Sequence, residues 1–177
     1  LLIQKRRSPH FIMTGFALNG KGYLLTNAGN NFYEYNPSTN TWNQKKDFAG
    51  RSTFGDPSFT IGNKGYIASS RNKELWQYDP LTDTWNQKAN FIGSAVGVGF
   101  VLDGKGYVGT GWSQSDRKYH TDFWAYDPAN DIWKKTSSFP GAGRSGAFSF
   151  VIGSNAYVGG GRGPAFTEYN DVWEFTP

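Results

Sequence analysis

The chain has 177 residues, 18% of them aromatic, with 23 glycines, one methionine, no cysteine and a formal net charge of +4. That length admits one domain with a real core, and the missing cysteine excludes disulfides, cysteine-ligated zinc and thiol catalysis. The Lys and Arg residues are scattered rather than gathered in a run, which leaves no nucleic-acid footprint, and no apolar stretch approaches transmembrane length. Abundant aromatics and glycines with many short turns point to an all-β protein. The chain begins at Leu1 rather than Met, as expected of a processed or partial polypeptide.

Taken in order, the chain repeats two hairpins. The first reads Phe16-Ala17-Leu18-Asn19-Gly20-Lys21-Gly22-Tyr23 and returns as Phe59 to Tyr66, Phe100 to Tyr107 and Phe150 to Tyr157. Asn19-Gly20, Gly62-Asn63, Asp103-Gly104 and Gly153-Ser154 sit between the apolar runs. Such pairs accept the positive φ that a two-residue hairpin needs. Each copy therefore predicts two antiparallel strands, A and B.

The second unit is Trp76-Gln77-Tyr78-Asp79-Pro80-Leu81-Thr82-Asp83-Thr84-Trp85, matched by Tyr33 to Trp42 and Trp124 to Trp133 and begun again at Trp173. Proline presets φ, and the Asn or Asp before it closes an Asx turn. This predicts strands C and D. The tyrosines Tyr23, Tyr66, Tyr107 and Tyr157 recur at intervals of 43, 41 and 50 residues, and four strands at that period describe propeller blades.

These residues resemble the kelch repeat family, in which a Tyr-Val-Gly-Gly strand is followed by a Tyr-Asp-Pro-to-Trp hairpin and a loop arginine. Tyr157-Val158-Gly159-Gly160 fits the first part fully and Tyr107-Val108-Gly109-Thr110 partly, whereas the first two copies lack the glycine pair. Arg7, Arg51 and Arg144, each followed by Ser, stand where the loop arginine belongs, and the third repeat has Gly93-Ser94 there. The resemblance implies an all-β propeller of four-stranded antiparallel blades, four repeats within a single domain over 1–177 or part of a larger one. Leu2-Ile3-Gln4-Lys5 aligns with strand D, so the N-terminus would complete the last blade of a closed ring. A fragment of a longer array, or an open half that pairs with a second chain, remains equally open.

The recurrent aromatics are explained by the repeat. Trp42, Trp85 and Trp133 close the C–D turn, while Trp76, Trp124 and Trp173 pack blade on blade. Asp79, Asp83, Asp127 and Asp131 make turns. What the repeat does not explain lies between strands B and C. There the spacing from hairpin tyrosine to strand-C aromatic is 12 residues in the first two repeats but 19 and 18 in the last two. The longer loops carry Trp112, Arg117 and Tyr119, then Arg162, Phe166 and Tyr169.

Alternating strand direction sends the D–A and B–C loops to one face, so Arg7, Arg51 and Arg144 should join those residues there. Functional groups gather on such loops. Arg forks suit carboxylates, and Trp and Tyr rings suit sugars or apolar side chains. The alternative for each arginine is a structural one, bonding loop carbonyls between blades.

Catalytic chemistry finds little footing. His10 and His120 show no metal spacing. Gly159-Gly160-Gly161-Arg162-Gly163 lacks the helix of a phosphate loop. No metal, cofactor or catalytic residue is expected. The copper chemistry of galactose-oxidase-like propellers needs a Cys that is missing. Sialic acid mutarotase-like propellers resemble this chain at the repeat level only; Asp116 and Glu168 are the loop carboxylates such an enzyme would use. The expectation is a non-enzymatic module that binds a protein or carbohydrate on the D–A and B–C loop face, with a sugar-processing enzyme as the alternative. An extracellular or periplasmic location follows from the resemblance, and self-association is expected if the ring is open.

Overall fold

A computed structural model describes residues 11–26, 30–51 and 53–176. The local turn chemistry builds the strands. Asn19-Gly20 and Asp103-Gly104 both take positive φ at two successive residues (51° and 73°, 48° and 71°). In the Gly62 and Gly153 hairpins only the first turn position does, at 56° and 60°. These are the two backbone solutions whose twist matches a β-hairpin.

Blade one holds β1 (Ile12–Leu18), β2 (Lys21–Thr26), β3 (Phe32–Asn36) and β4 (Thr41–Lys45). Blade two holds β5 (Ser58–Ile61), β6 (Lys64–Ala68), β7 (Leu75–Asp79) and β8 (Thr84–Lys88). In blade three, β9 (Val98–Leu102) and β10 (Lys105–Gly109) precede a two-stranded excursion, β11 (Trp112–Ser113) and β12 (Lys118–Tyr119). The blade then resumes with β13 (Phe123–Asp127) and β14 (Ile132–Lys135). Blade four holds β15 (Phe148–Ile152), β16 (Asn155–Gly159) and β17 (Val172–Phe175), with a single 3₁₀ turn at Pro164–Phe166.

Each sheet is antiparallel in simple chain order, four strands in the first three blades and three in the fourth. The strand proposed to complete blade four, at Leu2-Ile3-Gln4-Lys5, lies outside the described residues. The chain is thus an all-β propeller of four blades. The inner strands pack in series, β1 beside β5, β5 beside β9 and β9 beside β15. No comparable contact joins β15 back to β1 among the described residues.

Blade packing follows one rule, repeated. The strand-A phenylalanine stacks on the hairpin tyrosine opposite it: Phe16 on Tyr23, Phe59 on Tyr66 and Phe100 on Tyr107, with ring centroids 5.5, 5.6 and 5.3 Å apart. That stacked face is then covered by the next blade. Ile67 and Tyr78 cover blade one, Val108 and Tyr126 cover blade two, and Val158 and Phe175 cover blade three. The recurrent glycine before the tyrosine makes room for this. A Cβ on Gly65 would lie 2.1 Å from the Phe16 ring, and one on Gly106 would lie 2.6 Å from the Phe59 ring. Lys-Gly-Tyr is therefore a socket for the phenylalanine of the preceding blade.

The C–D turn does more than turn. Asn36, Asp79 and Asp127 do cap it, each Oδ1 accepting the backbone N–H two residues on at 2.9–3.0 Å. Asp83 and Asp131, however, reach across to the preceding blade. Asp83 accepts the Tyr78 hydroxyl at 2.7 Å and the Lys46 N–H at 3.1 Å; Asp131 accepts Tyr126 at 2.7 Å and the Ala89 N–H at 2.9 Å. The Trp85 and Trp133 indoles return the bond, donating to the carbonyls of Lys46 and Ala89. Tyrosine, carboxylate and tryptophan thus form a latch between blades.

Burial, together with the carboxylate acceptors, pushes the Tyr78 and Tyr126 hydroxyls far above the ordinary phenol value near 10. A raised folded-state value contributes stability that is complete below pH 10 and lost as pH rises above it, because only the unfolded chain then ionises. Stability should be flat from pH 6 to 9 and fall steeply above 10. Tyr78→Phe and Tyr126→Phe should each blunt that fall in pH-resolved thermal melts, while costing about 1 kcal/mol at neutral pH.

Candidate functional site

D–A and B–C loops meet on one end of the propeller, as strand alternation requires, and form two clefts there. The first lies between blades two and three and encloses about 570 Å³. Its walls are Thr53 of one D–A loop, Ser70, Arg71 and Lys73 of the short blade-two B–C loop, Ser94 of the next D–A loop, and Trp112 to Ser115. The second lies between blades three and four and encloses about 470 Å³. Arg117, Lys118 and Tyr119 line it on one side and Gly143, Pro164 and Tyr169 on the other.

Two carboxylates, the buried Asp56 and the half-buried Asp122, fix the walls of the first cleft. Asp56 accepts the Thr53 N–H at 2.7 Å and the Ser70 N–H at 3.0 Å, and both hydroxyls bond to it as well. Asp122 accepts the Ser94 N–H at 2.8 Å and the Trp124 indole at 2.7 Å. Burial alone would raise the Asp122 carboxyl, but those donors outweigh it and hold it below the ordinary value. Both carboxylates thus act behind the wall rather than in the cleft.

Trp112 pairs with Tyr119 across the β11–β12 hairpin, which stands up from blade three. The hairpin is pinned at its base: Gly111 N–H donates to the Arg144 carbonyl at 2.8 Å and His120 N–H to the Gly111 carbonyl at 2.9 Å. Thr110 just before it takes φ 52°, where blade four has Gly160 at 62°. Trp112 is left 40% exposed on the first cleft. Opposite it stand Arg71, which is exposed, and Lys73, whose ammonium donates to the Gly93 carbonyl at 2.8 Å. Among the described residues, the linings of both clefts carry cations and no carboxylate.

The residues singled out from sequence do not form one site. Trp112 belongs to the first cleft, and Arg117, Tyr119 and Tyr169 to the second. Arg162 is held by its backbone, bonded twice to Ser145 at 2.9 Å, and its guanidinium lies 6.0 Å from the exposed Phe166 ring, outside both linings. Arg51 is exposed; its carbonyl accepts the Ser69 hydroxyl, and it lines neither cleft. Arg7 lies outside the described residues.

Arg144 is fully buried. It forks onto both oxygens of Asp171, donates to the Ala142 and Gly160 carbonyls at 3.0 Å, and lies 4.6 and 4.2 Å from the Phe139 and Tyr169 ring centres. Its reach to any ligand is blocked by this packing. The Arg144 hydrogen bond, ahead of the Trp173 indole, lowers the Asp171 carboxyl to about 2. Asp116, one of the two loop carboxylates considered for catalysis, pairs with His120 at 3.0 Å. Glu168 is exposed on the antiparallel bridge to Arg162. Among the described residues no three His, Cys, Asp or Glu side chains converge as metal ligands would.

The repeat pattern does not single out Arg71 or Lys73, because the blade-two B–C loop is short and has no aromatic. The available signal was two cations in Ser70-Arg71-Asn72-Lys73, at the place where blades three and four carry their insertions.

No family model matches the chain, and no curated protein sequence does. Among solved structures, that of YjhT superposes with a TM-score of 0.79 at 19% sequence identity, covering 99% of this chain and 68% of the other. At that identity the match shows the propeller fold. No described helix is long and apolar enough to cross a membrane.

Proposed function

We propose that the chain is a binding module for acidic carbohydrate, and that the cleft between blades two and three holds the ligand. One observation carries this reading. An exposed tryptophan face, Trp112, stands opposite Arg71 and Lys73 in a cleft whose lining contains hydroxyls and an amide but no carboxylate. An indole face covers the apolar face of a sugar ring, and guanidinium and ammonium groups pair with its anionic substituent. Thr53, Ser70, Ser94, Ser113 and Gln114 supply donors and acceptors for sugar hydroxyls.

The competing reading is a sugar-processing enzyme on the same face, in line with the repeat-level likeness to mutarotase-type propellers. Proton transfer at the sugar needs an acid or base within reach of it. The absence of a carboxylate from either lining favours binding over turnover.

Calorimetric titration with oligoglucuronate and with a neutral glucan of equal length tests the proposal. Preference for the acidic chain is expected, with Trp112→Ala and Arg71→Ala each weakening it at least tenfold, about 1.4 kcal/mol. Both side chains are exposed, so the melting temperature should stay within about 2 °C. Equal affinity for the neutral glucan would overturn the reading. Mutarotation of an acidic sugar that is lost in Glu168→Gln would transfer the assignment to the enzyme.

A further inference from the structure

We infer that the two loop-end clefts serve one ligand: a single acidic carbohydrate chain crosses the β11–β12 hairpin and is held on both sides of it. This rests on the first cleft being a carbohydrate site and extends it to the ligand's length and path. The hairpin is the partition between the clefts. Trp112 to Ser115, its first strand and turn, wall the cleft between blades two and three, and Arg117 to Tyr119 wall the cleft between blades three and four. Trp112 and Tyr119 are direct cross-strand partners. Opposed residues of an antiparallel pair project from the same face, with Cβ atoms about 4.5–5.5 Å apart. The indole that borders one cleft and the phenol that borders the other are therefore neighbours, and together they make an aromatic crossing.

The charges are repeated on either side of that crossing. Arg71 and Lys73 stand in the first cleft, and the exposed Arg117 and Lys118 in the second. Each cleft holds one of its cations on a left-handed backbone, Lys73 at φ 57° and Arg117 at φ 56°, a conformation that favours glycine. The only carboxylate between Trp112 and Tyr119 is Asp116, which pairs with His120 at 3.0 Å and lines neither cleft. An anionic chain thus meets cation, ring, ring and cation along its path.

The crossing is fixed from below. The Gly111 N–H ties the first strand to the Arg144 carbonyl at 2.8 Å. Gly143 presses on the second strand so closely that a Cβ there would lie 2.7 Å from the Tyr119 carbonyl oxygen. Tyr169, in the far wall of the second cleft, has the buried Arg144 guanidinium 4.2 Å from its ring centre. Two subsites at a fixed separation bind a linked ligand more tightly than either binds alone, because the second contact forms at high effective concentration and little ordering remains to oppose it.

Calorimetric titration with oligoglucuronates of two, four and eight units tests the inference. It is run near 0.15 M salt, where charges more than about 8 Å apart are largely screened, so the second cleft acts on a short ligand only by contact. Affinity should rise at least about a hundredfold from dimer to octamer, beyond the several-fold gain that extra registers supply, with one octamer bound per protein chain. The double variant Arg117→Gln/Lys118→Gln should remove most of that rise and leave the Trp112-dependent affinity for the dimer within about twofold. Tyr119→Ala should act the same way, and the charge variant decides the matter if Tyr119→Ala disturbs the hairpin. Acidic dimer bound through Trp112 without the rise would overturn the inference and leave the carbohydrate assignment of the first cleft standing, as would a rise that survives loss of both charges. Equal affinity for a neutral glucan octamer would overturn both.

Discussion

Arg144→Ala is expected to lower the melting temperature by roughly 10 °C. Removing one partner of a buried ion pair costs about 3–5 kcal/mol, because the other partner and the nearby carbonyls are left without their donor. For a chain of this size each kcal/mol moves the midpoint by about 2–4 °C. The lower end applies, since the Asp171 side chain is 33% exposed and water takes over part of its solvation. Arg144→Lys should recover little, because an ammonium cannot fork onto Asp171 while also reaching Ala142 and Gly160.

The pH dependence separates the pair from simple packing loss. Asp171 is depressed to about 2 in the folded chain, against an ordinary value near 4. Its contribution is therefore complete above about pH 5 and is lost as pH falls toward 2. The wild-type protein should lose stability across that window more steeply than Arg144→Ala, whose Asp171 titrates near its ordinary value. Thermal melts at pH 2.5, 4 and 7 read both effects. A variant that keeps its midpoint but loses oligoglucuronate binding would instead return Arg144 to the ligand.

The same Arg-Ser signature thus leads to different places, and the reason marks how far the sequence could be read. Turn chemistry is local, so Asn19-Gly20, Asp103-Gly104 and the Asx turns at Asn36, Asp79 and Asp127 announced the A–B and C–D hairpins but not the β11–β12 hairpin. The period then announced the blades. Arg144 and Arg51 differ through groups far away in sequence. Asp171 lies 27 residues after Arg144 and receives it together with the Trp173 indole. In blade two the corresponding Glu74 carboxylate takes the Trp76 indole at 2.9 Å and the Asn72 amide at 3.3 Å, and Arg51 stays in solvent.

Hydrogen bonds from one blade to the next were equally hidden. Nothing near Asp83 or Trp85 in the sequence names Lys46 as their shared partner. The exposed stack on blade four had no sequence signature either. Phe150 and Phe100 occupy the same repeat position, and only a neighbouring blade distinguishes a buried stack from an exposed one. The candidate cleft was half legible: Trp112 stood out because the repeat did not need it, whereas Arg71 and Lys73 sat in a loop of ordinary length.

Asp56→Ala is expected to lower stability by about 3 kcal/mol, roughly 6–12 °C, and to abolish ligand capture at the first cleft. Asp56 is 3% exposed, and its carboxylate ties the blade-two D–A loop to its B–C loop through two backbone N–H groups and two hydroxyls. Alanine leaves the Thr53 and Ser70 N–H groups without the acceptor they share, and hydrogen bonds to a charged acceptor contribute about 1.5–3 kcal/mol each. Neighbouring hydroxyls, such as the Thr53–Ser70 pair at 2.7 Å, recover part of that loss. Thr53 and Ser70 form one wall of the cleft and Arg71 follows directly, so releasing them moves the cation away from Trp112.

Asp56→Asn keeps one carbonyl acceptor but brings donors where only acceptors fit. It should fall between alanine and wild type in both readouts. The contrast with Trp112→Ala is the decisive comparison. Trp112 is 40% exposed and is the residue proposed to meet the ligand, so Trp112→Ala should lose affinity at an unchanged midpoint. Asp56 is buried behind the wall, so affinity and midpoint should fall together. If Asp56→Ala loses stability yet binds oligoglucuronate as the wild type does, the ligand does not depend on the Thr53–Ser70 wall, and the cleft between blades three and four becomes the place to look.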